Sequence, residues 1–160
     1  MTKVYIGKIV NTHGIKGELR IKDDLNDIQR KEIFKINSHL IILDTPYLIK
    51  SYRRHKDYDM VSFLGLTNIN EVLFLKGKKV YKETGEISLD SDNILDSELV
   101  AYKVKTDNGE EGIIKAIEKT GVNYKIIRLV INNKEILVPY HKDFIINIDN
   151  NKKELVIRLP

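Results

Sequence analysis

The stretch best equipped for chemistry is Asn11-Thr12-His13-Gly14-Ile15-Lys16-Gly17-Glu18, which lies between two short apolar alternations near the start of the chain. Gly14 and Gly17 form a Gly-x-x-Gly spacing with Lys16 inside it. Such a loop can bring backbone N–H groups and an ammonium up to a phosphate, as clamping loops in some RNA-binding modules do. A hairpin that needs positive φ at two places would use the same glycines. The Gly-Lys-Ser/Thr ending of a Walker loop is missing. His13 as a general base would need a nucleophile and an orienting carboxylate, with Glu18 and Asp23 close in sequence. An imidazole that only stabilises the turn needs neither.

A second candidate is the basic run Lys50-Ser51-Tyr52-Arg53-Arg54-His55-Lys56-Asp57-Tyr58. Cations beside a polyanion gain free energy by counterion release, and Tyr52 or Tyr58 could stack on a base. A charged, solvent-facing hairpin is the alternative. Lys76, Lys78, Lys79 and Lys82 add a second basic group with the same two readings. Further on, Leu137-Val138-Pro139-Tyr140-His141-Lys142-Asp143-Phe144 places aromatics at a strand break. Phe144 is expected in the core. Tyr140 and His141 suit either a protein-contact rim or packing against their own barrel.

Other chemistries are excluded by composition. The chain has no cysteine, so disulfides, thiolate metal sites and cysteine nucleophiles are absent. The four histidines, at positions 13, 39, 55 and 141, lie far apart. No Gly-x-Ser-x-Gly or His-Glu-x-x-His pattern occurs. Asp90, Asp92 and Asp96 lack the glycine and terminal glutamate of a calcium loop. No metal and no cofactor are therefore expected. No apolar run approaches the ~18–20 residues of a membrane span, and the start lacks a signal peptide's apolar stretch, so a cytoplasmic location is expected.

The elements that must position these residues read as strands. Residues 3–10 and 18–22 alternate at a two-residue period, and 39–43, 47–53 and 60–64 are short strand candidates. Asp44-Thr45-Pro46 is expected to break the third from the fourth. Asn68-Ile69-Asn70-Glu71 has the spacing of a helix capping box, followed by Val72, Leu73 and Leu75 as an apolar face and Gly77 as a left-handed exit. Residues 78–82 end the first half. In the second half, candidate strands at 100–106, 111–120, 124–131, 135–139, 144–149 and 154–159 are separated by Asn-Gly and Asn-Asn turns. Between the halves, residues 83–98 carry six acids and no base, the composition of a linker. The resulting expectation is an all-β chain with one short helix, folded as two small tandem β-barrels: residues 1–82, an acidic linker 83–97, and residues 98–160.

Charge divides the same way. Residues 1–82 hold 16 Lys/Arg against 9 Asp/Glu, a net +7, while residues 83–160 hold 11 against 14, a net −3. A basic half joined to an acidic half fits a molecule that touches two kinds of surface.

At this point a family resemblance enters. Ile6-Gly7-Lys8-Ile9-Val10-Asn11-Thr12-His13-Gly14-Ile15-Lys16-Gly17-Glu18 closely resembles the opening of the RimM family of bacterial ribosome maturation factors. The resemblance continues through Phe63-Leu64-Gly65-Leu66-Thr67-Asn68-Ile69-Asn70-Glu71-Val72 and Leu75-Lys76-Gly77. It resumes at Gly112-Ile113-Ile114, Thr120-Gly121-Val122-Asn123 and Ile136-Leu137-Val138-Pro139. It implies an N-terminal six-stranded barrel and a C-terminal PRC-type barrel. The implied activity is non-catalytic: a chaperone-like factor, monomeric, that assists assembly of the small-subunit head and processing of its 16S rRNA. The implied partner of the second barrel is ribosomal protein nineteen of the small-subunit head, and the charge division adds the expectation that the basic first half faces 16S rRNA. On this reading His13, Gly14, Lys16, Gly17, Arg53, Arg54 and Lys56 are candidates for ribosome or RNA contact, and Ile94, Leu95, Tyr140 and His141 for contact with the ribosomal protein. In one respect the chain departs from the family: Ile94 and Leu95 stand where relatives carry a tyrosine pair. A flavin- or nucleotide-binding barrel enzyme and a plain RNA-binding module are the alternatives.

Overall fold

The computed structural model describes residues 2–121 and 124–160. Met1, and Val122-Asn123 of the expected turn after Gly121, lie outside the described residues. The chain divides between Leu89 and Asp90 into two compact units.

The first unit is a closed barrel with the order β1-β2-β5-β4-β3-β6, β6 returning to β1. Its strands are β1 (Lys3–His13), β2 (Glu18–Asp23), β3 (His39–Ile42), β4 (Thr45–His55), β5 (Tyr58–Phe63) and β6 (Lys79–Glu83). Closure depends on β1 serving two neighbours at once. Its register shifts by one residue between Tyr5 and Gly7 against β6, and between Ile9 and Asn11 against β2. Such irregularities bend a strand and increase its twist, which a six-stranded closure requires. Gly7 sits at the bend because a Cβ there would come within 2.4 Å of the Lys22 carbonyl oxygen. Alternation sends Ile6, Ile9, Leu19, Ile21, Leu40, Ile42, Ile49, Val61 and Phe63 inward, all buried. Burying each such side chain contributes roughly 1.5–3 kcal/mol.

Among the described residues, three α-helices occur where one was expected: α1 (Asp27–Ile33), α2 (Ile69–Val72) and α3 (Asp96–Leu99). The capping box that starts α1 is complete. Gln29 N donates to Asn26 Oδ1 (2.8 Å) and Asn26 N donates to Gln29 Oε1 (2.9 Å). α1 then buries Ile33 and the following Phe34. At α2 the expected box is half formed. Asn68 accepts from Glu71 N, but the Glu71 carboxylate accepts from Thr67 N and from the Asn68 side-chain amide rather than from the Asn68 backbone. After Val72 the chain tightens into a 3-10 turn, Leu73–Leu75. The shorter period leaves Leu73 48% exposed, whereas Val72 and Leu75 are buried as expected. The β3–β4 break falls at Leu43 and Asp44, both left-handed (φ 52° and 61°), so Pro46 lies within β4 rather than in the turn.

The second unit is a six-stranded sheet, β10-β9-β8-β7-β12-β11. Its strands are β7 (Lys103–Thr106), β8 (Glu111–Lys119), β9 (Lys125–Ile131), β10 (Lys134–Pro139), β11 (Ile145–Asp149) and β12 (Glu154–Ile157). β7 and β12 pair in parallel; the other ladders are antiparallel. Asn132 and Asn133, at φ 51° and 65°, supply the two left-handed residues of the β9–β10 hairpin. Residues 100–102 do not extend β7. They follow α3 in a turn that seats Leu99 and Tyr102 beside Val104, Ile114, Ile127, Leu129, Val138, Leu155 and Ile157 in one core.

Two buried polar devices hold the first unit together. Lys82, grouped by sequence with the surface lysines, is fully buried. Its Nζ donates to Ile33 O (2.7 Å), Ser38 Oγ (2.9 Å) and His39 O (3.0 Å), tying β6 to the end of α1 and the start of β3. Burial lowers its pKa and the Glu86 carboxylate, 3.7 Å away, opposes that. Lys82 cannot contact RNA from this position. The second device is the carboxyl pair Asp23 and Asp59, whose side chains are both buried. Asp59 accepts from Tyr52 Oη, Arg30 Nε (3.2 Å) and Arg54 Nη1 (3.2 Å). Asp23 Oδ1 accepts from Leu25 N (3.1 Å), while no donor is directed at its buried Oδ2. Its side-chain hydrogen-bond neighbour is Asp59, with which a proton on Asp23 is shared. Desolvation first, then that hydrogen bond and the Asp59 charge, push Asp23 up to about 8.

Lys82→Met keeps the shape and removes three charged hydrogen bonds, so it is expected to cost on the order of 2–3 kcal/mol in urea unfolding. Asp23 behaves differently with pH. The unfolded carboxyl releases its proton near pH ~4, and the folded one holds it until about 8. Over that window the folded state binds more protons, and stability therefore falls as pH rises. Asp23→Asn retains a donor toward Asp59 and has no proton to lose. Its urea midpoint should gain on that of the parent between pH ~5 and ~8, by at most about 1.4 kcal/mol per pH unit. A gap that does not widen would show that no proton is shared.

Candidate nucleic-acid interface

β2 pairs with β5 (Leu19 opposite Val61, Arg20 opposite Met60), and β5 pairs with β4 (Met60 opposite Arg53, Tyr58 opposite His55). Two hairpin ends that are remote in sequence, β1–β2 and β4–β5, are thereby brought together. His13, Gly14, Ile15, Lys16, Glu18, Ser51 and Ser62 line an open depression of about 510 Å³ at this end. The Ser51 and Ser62 hydroxyls are bonded to each other. The His13 and His55 rings lie 5.5 Å apart. Arg20 donates to His13 Nδ1 from Nε (3.2 Å) and Nη2 (2.7 Å), which places the His13 ring proton on Nε2. Arg53 grips Glu18 with two parallel bonds (2.8 and 2.7 Å) and holds that carboxyl below its usual range.

The glycine spacing has two separate structural reasons. Gly14 takes φ +68° in open space, so only the backbone conformation demands glycine there. Gly17 takes φ +88° and faces the Leu66 carbonyl, which a Cβ would approach to 2.6 Å. Ile69 N donates to Ile15 O (2.9 Å), fastening the loop to α2. The loop is thus held in place by the segment after β5 and presents Lys16 outward.

Of the residues singled out by sequence, His13, Gly14, Lys16 and Gly17 gather at this end, Arg53 joins them through Glu18, and Lys56 sits at the adjoining hairpin tip with φ 56°. Arg54 does not. Strand alternation turns it away from Arg53, and it binds Asp59 beside a separate depression of about 260 Å³ lined with Asp27, Ile28, Arg30, Lys31 and Tyr52. Tyr52 belongs with Arg54 and not with the hairpin end: one face of its ring lies on Phe34 (centroids 5.1 Å, 6°) and its hydroxyl is bonded to Asp59. Tyr58 has the Arg20 guanidinium 5.8 Å over its ring. Sequence reading missed Arg20 and did not single out His55. The signal for Arg20 was its place two residues after Glu18 on the same strand, which puts both on one face.

In the second unit, Tyr140 and His141 line a depression of about 510 Å³ with Ser91, Asp92, Lys142 and residues 145–148. Burial, with the Asp96 charge, pushes the Tyr140 phenol up to about 12. Lys125 lies 5.6 Å over its ring and pairs with Asp96 at 2.6 Å. Exposed Ile146 adds apolar surface to this depression, which lies along the edge strand β11. Ile94 and Leu95 are not part of it. They are 6% and 2% exposed, and Ile94 packs within the second unit's core.

The family pattern described as the RimM N-terminal domain matches residues 4–86, and that described as the RimM PRC barrel domain matches residues 96–160. Proteins named ribosome maturation factor RimM from Staphylococcus aureus strains JH9 and USA300 are each 33% identical to it over 164 aligned positions, covering 97% of this chain and 95% of theirs. Among solved structures, a 16S ribosomal RNA processing protein RimM from Pseudomonas aeruginosa aligns over 99% of this chain and 98% of its own, with 20% identity and a TM-score of 0.47. The N-terminal domain of RimM from Thermus thermophilus aligns over 56% of this chain and 98% of its own, with the same identity and TM-score. With both domain patterns matched in order across nearly its whole length, the chain belongs to the RimM family.

Proposed function

We propose that this protein is a ribosome maturation factor that acts by binding. It assists assembly of the small-subunit head and maturation of its 16S rRNA, as a monomer in the cytoplasm, without catalysing a reaction. The observation that carries this reading is the in-order match of both domain patterns, together with 33% identity to proteins named for that role. The charge division supports assigning a surface to each unit, with residues 83–97 as the functional boundary. The basic first unit meets rRNA through the end that carries His13, Lys16, Arg53 and Lys56. The acidic second unit meets ribosomal protein nineteen of the small-subunit head, a role transferred from the family, through the depression that Tyr140 and His141 line. Ile94 and Leu95 are buried and lie outside the lining of that depression. The mechanism is population shift: a factor that binds one head conformation better than its competitors raises that conformation's share by its differential affinity.

The first test is association of the full-length protein with small-subunit precursors, followed by gradient sedimentation across a salt series. The triple change Lys16→Ala, Arg53→Ala, Lys56→Ala should lower the slope of log K against log salt by about 2–3, at roughly 0.7–0.9 per lost phosphate contact. Loss of all association would indicate a plain RNA-binding module, and an unchanged slope would remove this end of the barrel from the rRNA contact. The second unit is tested with the purified head protein. Tyr140→Phe with His141→Ala should weaken that complex by about 1–2 kcal/mol and leave the RNA salt slope alone. Normal assembly kinetics in cells lacking the protein would refute the whole reading.

A further inference from the structure

We propose that His13, Arg20, Arg53 and His55 form a site for a single phosphodiester group of RNA, and that filling it takes up a proton at His55. The inference rests on the reading of this end as the rRNA-facing surface, and goes beyond it by naming the ligating groups and the proton.

The geometry supplies the donors. Arg20 spends two N–H groups on His13 Nδ1, so His13 presents Nε2–H and Arg20 keeps further donors of its planar fork. His55 stands 5.5 Å from His13 on the adjoining hairpin. Arg53 is held in an extended pose by Glu18, and a phosphate has to take its place in exchange for that carboxylate or share the guanidinium with it. Every element around His55 contributes charge: His13 from β1, Lys16 from the first hairpin, Glu18 and Arg20 from β2, Arg53 from β4, Lys56 and Asp57 from the second hairpin, and the Tyr58 phenol from β5. These make four cations against two carboxylates, so with both imidazoles neutral this end of the barrel is cationic by two charges.

That imbalance adds to desolvation in setting the protonation of His55. Partial desolvation, then repulsion from Arg53, His13, Lys56 and Arg20, hold its pKa below the ordinary imidazole value. The empty site therefore keeps His55 neutral at pH ~7. An anion placed between these cations cancels the repulsion and rewards a second N–H donor, so the bound state favours the imidazolium. Binding must then tighten as pH falls, because the complex holds a proton that the free protein lacks.

The probes should not titrate in this range themselves, which rules out inorganic phosphate. An eight-nucleotide single-stranded oligouridylate supplies phosphodiesters, and sulfate supplies a free tetrahedral anion. With the full-length protein at fixed ionic strength, oligonucleotide affinity should rise about tenfold between pH ~7.5 and ~5.5, and less than twofold in His55→Gln. Nitrogen-15 shifts of the His55 ring, recorded with and without saturating oligonucleotide, should show its midpoint move upward on binding. Binding that does not depend on pH, or an equal pH dependence in His55→Gln, overturns the proposal while the salt-slope test of the rRNA surface stands. A proton-linked response to sulfate with none to the oligonucleotide overturns the RNA assignment and identifies a free-anion site.

Discussion

The pairing of β2 with β5 is the interaction on which the first unit depends. It is the only ladder in the barrel that connects the β1–β2 hairpin to the β4–β5 hairpin, and its inward residues, Leu19, Ile21 and Val61, are among the most deeply buried. Its outward residues do the rest. Arg20 lies opposite Met60, which in turn lies opposite Arg53, so a basic row crosses three strands at the end where His13 and His55 meet. A slip of one residue would exchange the faces and send Arg20 and Arg53 into the core. The same hydrophobic pattern that closes the barrel therefore fixes the charged surface, with no separate device needed to assemble it.

The strand framework was largely legible in the sequence, because a two-residue alternation with glycine- and asparagine-rich turns leaves few other solutions. What the sequence concealed follows from two physical causes. The first is spatial. The run 50–58 reads as one basic cluster, but alternation along β4 assigns Arg53 to the hairpin end and Arg54 to the Asp59 carboxylate, and stacks Tyr52 on Phe34. The second is burial of charge. Lys82 looked like one more surface lysine, and Asp23 and Asp59 drew no attention, since a charged letter reads as exposed. Their partners are backbone carbonyls, a serine hydroxyl, a phenol and two arginines, those of Lys82 and the Arg30 partner of Asp59 coming from segments distant in sequence. The missed α1 is different: its Asn26-x-x-Gln29 capping box was present to be read.

The second unit shows how a departure from the family pattern is accommodated. The stretch that enters it carries Ile94 and Leu95 where the family resemblance implies a tyrosine pair, and both are buried, Ile94 within the same core as Leu99 and Tyr102. Apolar side chains of that size can be taken fully inside, whereas a tyrosine must bring its hydroxyl to a partner or to water. Whatever surface chemistry the hydroxyls provide in relatives, this chain has to draw it from elsewhere. The groups at hand are Tyr140, whose phenol stays protonated at any ordinary pH, and His141 beside it.

A carboxylate at the centre of the surface proposed to meet RNA needs a physical reason, and Glu18 has one. Without it, Arg53 would sample many rotamers at a half-exposed position, and ordering that chain would count against every phosphate it met. Two parallel bonds to Glu18 pre-set the guanidinium plane, so much of the ordering is complete before RNA arrives. The cost is that phosphate contact becomes an exchange of one anion for another, which lowers the net gain and leaves the interaction sensitive to salt. On the proposed reading, in which the factor acts by binding and is not consumed, a contact that is oriented in advance and weak in sum suits release as well as capture. A basic patch freed of Glu18 would hold RNA more tightly and release it more slowly.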